Sequence, residues 1–385
     1  MNTLLNAIKY GVRQLVSRPL YILVMIGVPV VFSLFYLSLM DNGLPLRTPV
    51  AVVDLDNTEL SRKVVRNLGA GELVSIDYKV ESYEEAMSLV KSAKVYGFFM
   101  IPRNFQRDAE SRRETCITYY CNMAYYIPGT LSFKGFKQTA VTTSGGIAMT
   151  TLVGAGINQS LVETMLQPVT VQDHPIGNPW LNYAIYLGNF LPCLLQLIIF
   201  QVTAFSLLDE IKHGTSPAWV KSGGGSIVVA SAGKLIPQFV IFSVVGVFML
   251  SLMYGYNHFP LNGSLLAMIA AMLLLVAASQ AMALTICCIT PNLRIALSLL
   301  SLTGILSFSV AGFSYPVEDM YPSIGILSFL LPIRYYFLIA VNVALNGYDI
   351  YYCRWDFIGL ILFMIIPFTA LWKLKRYSLN PVYVP

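Results

Sequence analysis

Apolar runs separated by short charged or Gly/Pro-rich breaks set the plan of this chain. Pro19 to Met40 holds no charged residue and is about as long as a helix must be to cross a hydrocarbon core. Further runs of this kind predict membrane spans over 181–208, 235–256, 264–289 and 295–316. The last clear run, Phe357–Trp372, is short for a span, so it recruits residues before it and the sixth span is placed at 351–372. Between the fifth and sixth lies an apolar stretch, 317–350, interrupted by Pro322, Pro332 and Arg334. Its pieces Met320–Leu331 and Tyr335–Leu345 are each too short to span, and they read as two re-entrant half-helices.

From residue 41 to 180 the pattern is that of a soluble domain. Val50–Asp54 reads as a strand, and Asn57 or Thr58 caps a helix that ends at Gly69. Val74, Ile76 and Tyr78 alternate with polar residues as in a half-buried strand. Ser82 and Glu85 form a capping box for the next helix. Val95–Ile101 and Thr115–Cys121 read as strands, with a charged helix or turn between them. Strand and helix thus alternate, which predicts an inserted α/β domain. Lys137 to Leu166, rich in Thr, Gly and Ala, reads as a helical stalk back to the membrane.

Composition supports this division. The 385 residues are 56% hydrophobic and 12% charged, against about 25% charged in a soluble domain, and the mean hydropathy is +0.64. The net charge of +5 comes with no basic stripe, so no nucleic-acid partner is expected. None of the six cysteines forms a CxxC pair. If 115–121 is one strand, Cys116 and Cys121 stand too far apart to bridge. Residues 1–18 carry Lys9, Arg13 and Arg18 and no acid, and apolar residues at helical spacing let this segment lie on the membrane surface. Lys373, Lys375 and Arg376 follow the last span in the tail 373–385. Both basic ends are placed in the cytoplasm. Six spans then leave the α/β domain and the half-helices outside, and put the polar stretch 209–234 inside.

Several chemistries are missing from the sequence. The only Gly-Lys pair, Gly233-Lys234, is followed by Leu235, and Val228 stands where a nucleotide-binding loop needs glycine. His174, His213 and His258 are scattered over different loops. Membrane-embedded carboxylates, the usual mark of proton-driven transport, are expected in none of the six spans. What remains is a polytopic α-helical membrane protein with six transmembrane helices, an inserted extracytoplasmic α/β domain between the first and second, and no energy source of its own.

Five segments carry a family resemblance: VAVVDLDNTELSRKVV (50–65), YGFFMIPRNFQRD (96–108), EIKHGT (210–215), GKLIP (233–237) and LPIRYYFLIAVNVALNG (331–347). In that order around six spans they resemble a type-2 ABC transporter permease, in the exporter subgroup with a large extracytoplasmic domain. The resemblance implies an inner-membrane permease subunit that moves a drug, lipid or other amphiphile outward. It implies as partners a separate cytoplasmic ATPase that binds the ATP, a second copy of the chain or a close paralogue, and a periplasmic adaptor, with the lipid bilayer around them. The chain itself is expected to carry no cofactor, no metal and no catalytic residue. Glu210, Gly214 and Thr215 match the motif of the helix that contacts the ATPase, with Lys212 beside them. The family often places an acid and an arginine where this chain has Ile211 and Lys212. Lys234 reads as a lysine snorkelling at a span end, and Gly223–Gly225 as a flexible joint. The alternative is a receptor or scaffold that binds an external partner through the α/β domain. A membrane enzyme finds no nucleophile–base pair or metal set.

Overall fold

The structure is a computed structural model describing residues 2–39, 46–111, 113–166, 188, 190–313 and 315–381. The chain forms two compact units, one built from Met1–Gly43 with His174–Pro385 and the other from Leu44–Asp173.

The first unit begins with helix α1 (Asn2–Ser17). Arg18 interrupts it in an extended conformation, as a residue before proline prefers, and Pro19 occupies the first turn of α2 (Pro19–Leu39). Ala7, Gly11 and Leu15 are buried at a spacing of four, whereas Leu5, Val12 and Val16 stay exposed. Ala7 and Gly11, with Leu15 beyond them, therefore make the packed stripe of α1, while Leu4, Leu5, Val12 and Val16 face outward.

The second unit is organised on a four-stranded sheet of β1 (Thr48–Asp54), β2 (Val74–Val80), β3 (Gly97–Ile101) and β4 (Thr118–Cys121), in the order β2-β1-β3-β4. β1 pairs parallel with β2 and β3, and β4 pairs antiparallel with β3. The parallel connections run through α3 (Glu59–Gly69) and α4 (Tyr83–Lys91). Thr58 caps α3 by accepting from the Ser61 N–H, and Ser82 caps α4 by accepting from the Glu85 N–H. Val50 and Val52 pack with Val64 and Leu68 of α3, while Ala51 and Val53 pack with Ala86 of α4. The central strand is thus covered on both faces, which explains its unbroken apolar sequence. Short α5 (Phe105–Glu110) precedes β4. The last strand starts at Thr118, later than the expected Thr115, so Cys116 lies before it.

The helix expected over 137–166 is also redrawn. α6 runs from Tyr126 to Gly154, and α7 covers Gln159–Leu166 after a break at Gly156, whose φ is +87°. Pro128 lies in the first turn of α6, where no intrahelical N–H is needed. Gly135 lets α6 close on Val74 of the sheet. The expected end of the stalk (167–180) and start of the second span (181–187 and 189) lie outside the described residues.

The chain then re-enters the first unit. α8 (Phe190–Lys212), α9 (Ser216–Ser222) and α10 (Ile227–Tyr256) are followed by α11 (Leu265–Ile289) and α12 (Leu293–Val310). α13 (Pro322–Ser328) and α14 (Pro332–Leu345) meet at a bend of 80°. α15 (Ile350–Thr369) and α16 (Leu371–Leu379) complete the described chain. Six helices among the described residues, α2, α8, α10, α11, α12 and α15, are long and apolar enough to cross a membrane. α8 and α11 form the buried centre of this set, with α2, α12 and α15 turned mostly outward. This is the architecture of a polytopic helical membrane protein. The expectation of no carboxylate in the spans fails at two helices: α15 carries the half-buried Asp356 near its start, and the last turn of α8 carries the buried Asp209 and Glu210.

Candidate functional site

The C-terminal turn of α8 holds Asp209 and Glu210, both buried. A helix C-terminus already carries partial negative charge, so two carboxylates there need compensating cations. Asp209 receives the Arg18 guanidinium at 2.8 Å, and His213 Nδ1 lies 3.1 Å from its other oxygen. Glu210 receives Lys234 Nζ at 2.9 Å. Arg18 is half exposed, whereas the Lys234 side chain is fully enclosed.

Lys234 therefore does not snorkel. α10 begins at Ile227, so Lys234 sits two turns inside the helix and reaches across to α8. Its ammonium also donates to the Ser206 carbonyl at 2.6 Å and lies 4.7 Å from the centre of the Trp219 ring. Trp219 is held in turn by its indole N–H, which donates to the Ala230 carbonyl at 2.9 Å. Glu210 also accepts from the Tyr10 hydroxyl at 3.1 Å and from the Thr215 hydroxyl. Burial and then the Glu210 charge push the Tyr10 hydroxyl up to about 12, since both oppose a second anion at this point.

Gly214 ends α8 with φ +71°. The Thr215 N–H bonds the Glu210 carbonyl and the Gly214 N–H bonds the Ile211 carbonyl, the paired pattern that closes a helix on a left-handed residue. The turn places Lys212, His213, Gly214 and Thr215 at the surface, with Pro217 and Ala218 of α9 beside them. Of the four sequence-derived candidates, Glu210 and Thr215 are brought together, Lys212 and Gly214 flank them outside, and Glu210 faces inward. The glycine run behind α9 is a hydrogen-bonded turn, with Gly224 and Gly225 at positive φ and Gly223 packed directly on Ala230.

Sequence reasoning missed Tyr10, Trp219 and the true role of Lys234. One signal was available: a lone lysine in an apolar helix, following an acid pair at the end of the preceding long apolar run. A second was the small residues Ala7, Gly11 and Gly233. A Cβ on Gly11 would strike the Gly233 carbonyl, and one on Gly233 would strike Ala7. This backbone approach seats α1 against α10 and brings Tyr10 to Glu210. At the other side of α9, the Ser216 hydroxyl donates to the Ser378 carbonyl of α16 at 2.8 Å, and Leu374 packs in the same cluster as Trp219.

The site thus joins α8 to α10 and to Arg18 through charges, ties α1 and α9 to it through hydrogen bonds, and places a short exposed turn at one end of the helical unit. Among the described residues no group of His, Cys, Asp and Glu has the arrangement of a metal site. No curated protein matches the chain. The profile of the ABC-2 family transporter proteins matches residues 19–373, nearly the whole chain. The chain belongs to this family and is an ABC-2 type permease.

Proposed function

We propose that this permease exports an amphiphile, driven by a separate ATPase that docks on the turn 210–215 and on α9. The end of the unit bearing this turn lies in the cytoplasm, and the α/β unit lies outside. What supports that orientation is charge: Lys9, Arg13 and Arg18, then Lys212 and Lys221, then Lys373, Lys375 and Arg376 flank the apolar helices around α1, α9 and α16. Two permease chains surround the pathway, and the sharply bent α13–α14 pair forms the re-entrant element on the outer side.

The observation that carries the reading is the exposed turn, braced from behind by a buried ion pair. Lys212, Gly214 and Thr215 supply the contact surface, and Glu210 holds the turn from inside. Closure of the ATPase on ATP would push on α9. That push reaches α8 through Thr215 and Glu210, and it reaches α10 through Trp219, Ala230 and Lys234. A flexible loop would absorb the motion, whereas a turn with paired charges and closed hydrogen bonds passes it on.

The test is copurification of the full-length permease with its ATP-binding partner, together with the ATPase turnover of the complex. Lys212→Glu with Gly214→Val is expected to weaken association about tenfold, the equivalent of ~1.4 kcal/mol from a contact at the centre of an interface. Unchanged association and turnover in the double variant would refute the docking reading.

A further inference from the structure

α16 is joined to the span α15 by Ala370 alone. Trp372 stands three residues past Thr369, within about 5 Å of the end of that span. Leu371, Leu374 and Ser378 make the buried stripe of α16. Its remaining residues are exposed and divide by chemistry. Trp372 and Leu379, seven apart and so on one flank of the helix, are 61% and 48% exposed. Lys373, Lys375 and Arg376 carry three positive charges, and Lys373 Nζ lies 5.6 Å from the centre of the Trp372 ring. An indole and a leucine set among cations is the composition of a helix that lies in a membrane interface.

Two observations name what covers this surface. Among the described residues none of the three cations is paired with an acid. The helices packed on α16 bring only Asp209 and Glu210, which are buried and already paired with Arg18 and Lys234. α15 carries its acid, Asp356, near its far end. The counter-charge must therefore come from outside the chain. The second observation is continuity with the lipid-facing side of a span. Ile361, Ile365 and Phe368 are exposed along α15, and Trp372 continues the same spacing past its end.

We propose that α16 binds the anionic phospholipid headgroups of the leaflet in which α15 ends, and that this contact steadies α9. Lys373, Lys375 and Arg376 meet the phosphates, while Trp372 and Leu379 sit just below them. The link to α9 is direct, through the Ser216 hydroxyl on the Ser378 carbonyl and through Leu374 in the cluster of Trp219. An acidic protein would answer the charges but not the position of Trp372 at the end of a span. An uncharged bilayer would answer the ring but not the cations. The inference uses neither the ATPase partner nor the direction of transport.

The experiment is amide exchange of the full chain in nanodiscs of phosphatidylcholine, with and without phosphatidylglycerol. Each cation near an anionic surface strengthens the contact about fivefold. Phosphatidylglycerol should therefore slow exchange over 371–379 by that factor or more, and slow 216–222 in step. High salt should remove the difference, because exposed charges are screened. Lys373→Gln, Lys375→Gln and Arg376→Gln together should abolish the lipid dependence of both segments while leaving the buried stripe intact. Equal exchange of wild type in the two bilayers overturns the proposal, as does a lipid effect that the triple variant retains. Slowing over 371–379 with no change over 216–222 refutes the link to α9. A photoactivatable phenylalanine at position 372 should capture lipid, and capture of a second copy of the chain in its place overturns the assignment.

Discussion

Glu210 and Lys234 are each costly to bury alone and tolerable only together. Removing one partner of a buried pair typically costs about 3–5 kcal/mol, because the survivor keeps its desolvation without its attraction. Lys234→Met and Glu210→Gln are each expected to lose stability on this scale in denaturant unfolding in mixed micelles. The double variant should recover most of the loss, and simple additivity would show that the two charges do not depend on each other. Tyr10 gives a second handle. Its hydroxyl titrates near 10 when unfolded and about 12 when folded. Burial and then the Glu210 charge favour the protonated hydroxyl in the fold, so the stability linked to it is present in full below pH 10 and is lost as the pH rises through 12. An ultraviolet difference titration of wild type against Tyr10→Phe should show the raised midpoint, and Glu210→Gln should move it back toward 10. The sequence picked out Glu210, Gly214 and Thr215 but not the burial of the first. The start of α10 decides that burial: a helix beginning at Leu235 leaves Lys234 at the membrane surface, and one beginning at Ile227 turns it inward.

Among the elements, those with local signals were legible and those held by tertiary contact were not. The caps at Thr58 and Ser82 are written in the chain, and both helices start there. Ser82→Ala is expected to cost ~1 kcal/mol and to speed amide exchange in the first turn of α4. α6 was misplaced because its Gly, Pro and Thr content resembles a loop, whereas in the fold those small residues let it approach the sheet. The same holds for α1, whose docking stripe of Ala7 and Gly11 is less conspicuous than its leucines. Gly233→Ala places a methyl group against Ala7 backbone, with no flexible side chain to yield. Overpacking of this kind costs about 1–3 kcal/mol. Amide exchange across residues 2–17 should accelerate in this variant, and unchanged protection there would show that α1 is held by other means.

For the whole molecule, six apolar helices and the family were readable from hydropathy and motif order. The convergence of α1 and α16 on α9 was not, because contacts so distant in sequence leave no local periodicity. Leu374 is fully buried in the cluster that holds Trp219. Leu374→Ala should therefore destabilise by about 2–5 kcal/mol and loosen α9 as well as α16, which limited proteolysis of both segments would report. The long reach of the Tyr10–Glu210 bond has a consequence for biogenesis. Its partners are 200 residues apart, so at about 5–20 residues per second a ribosome needs roughly 10 to 40 s between them. Until α10 has been made, α1 has no seat and the acids at the end of α8 have no lysine. The nascent permease thus waits with Glu210 uncovered, and the arrival of Lys234 marks the moment at which the first helix locks home.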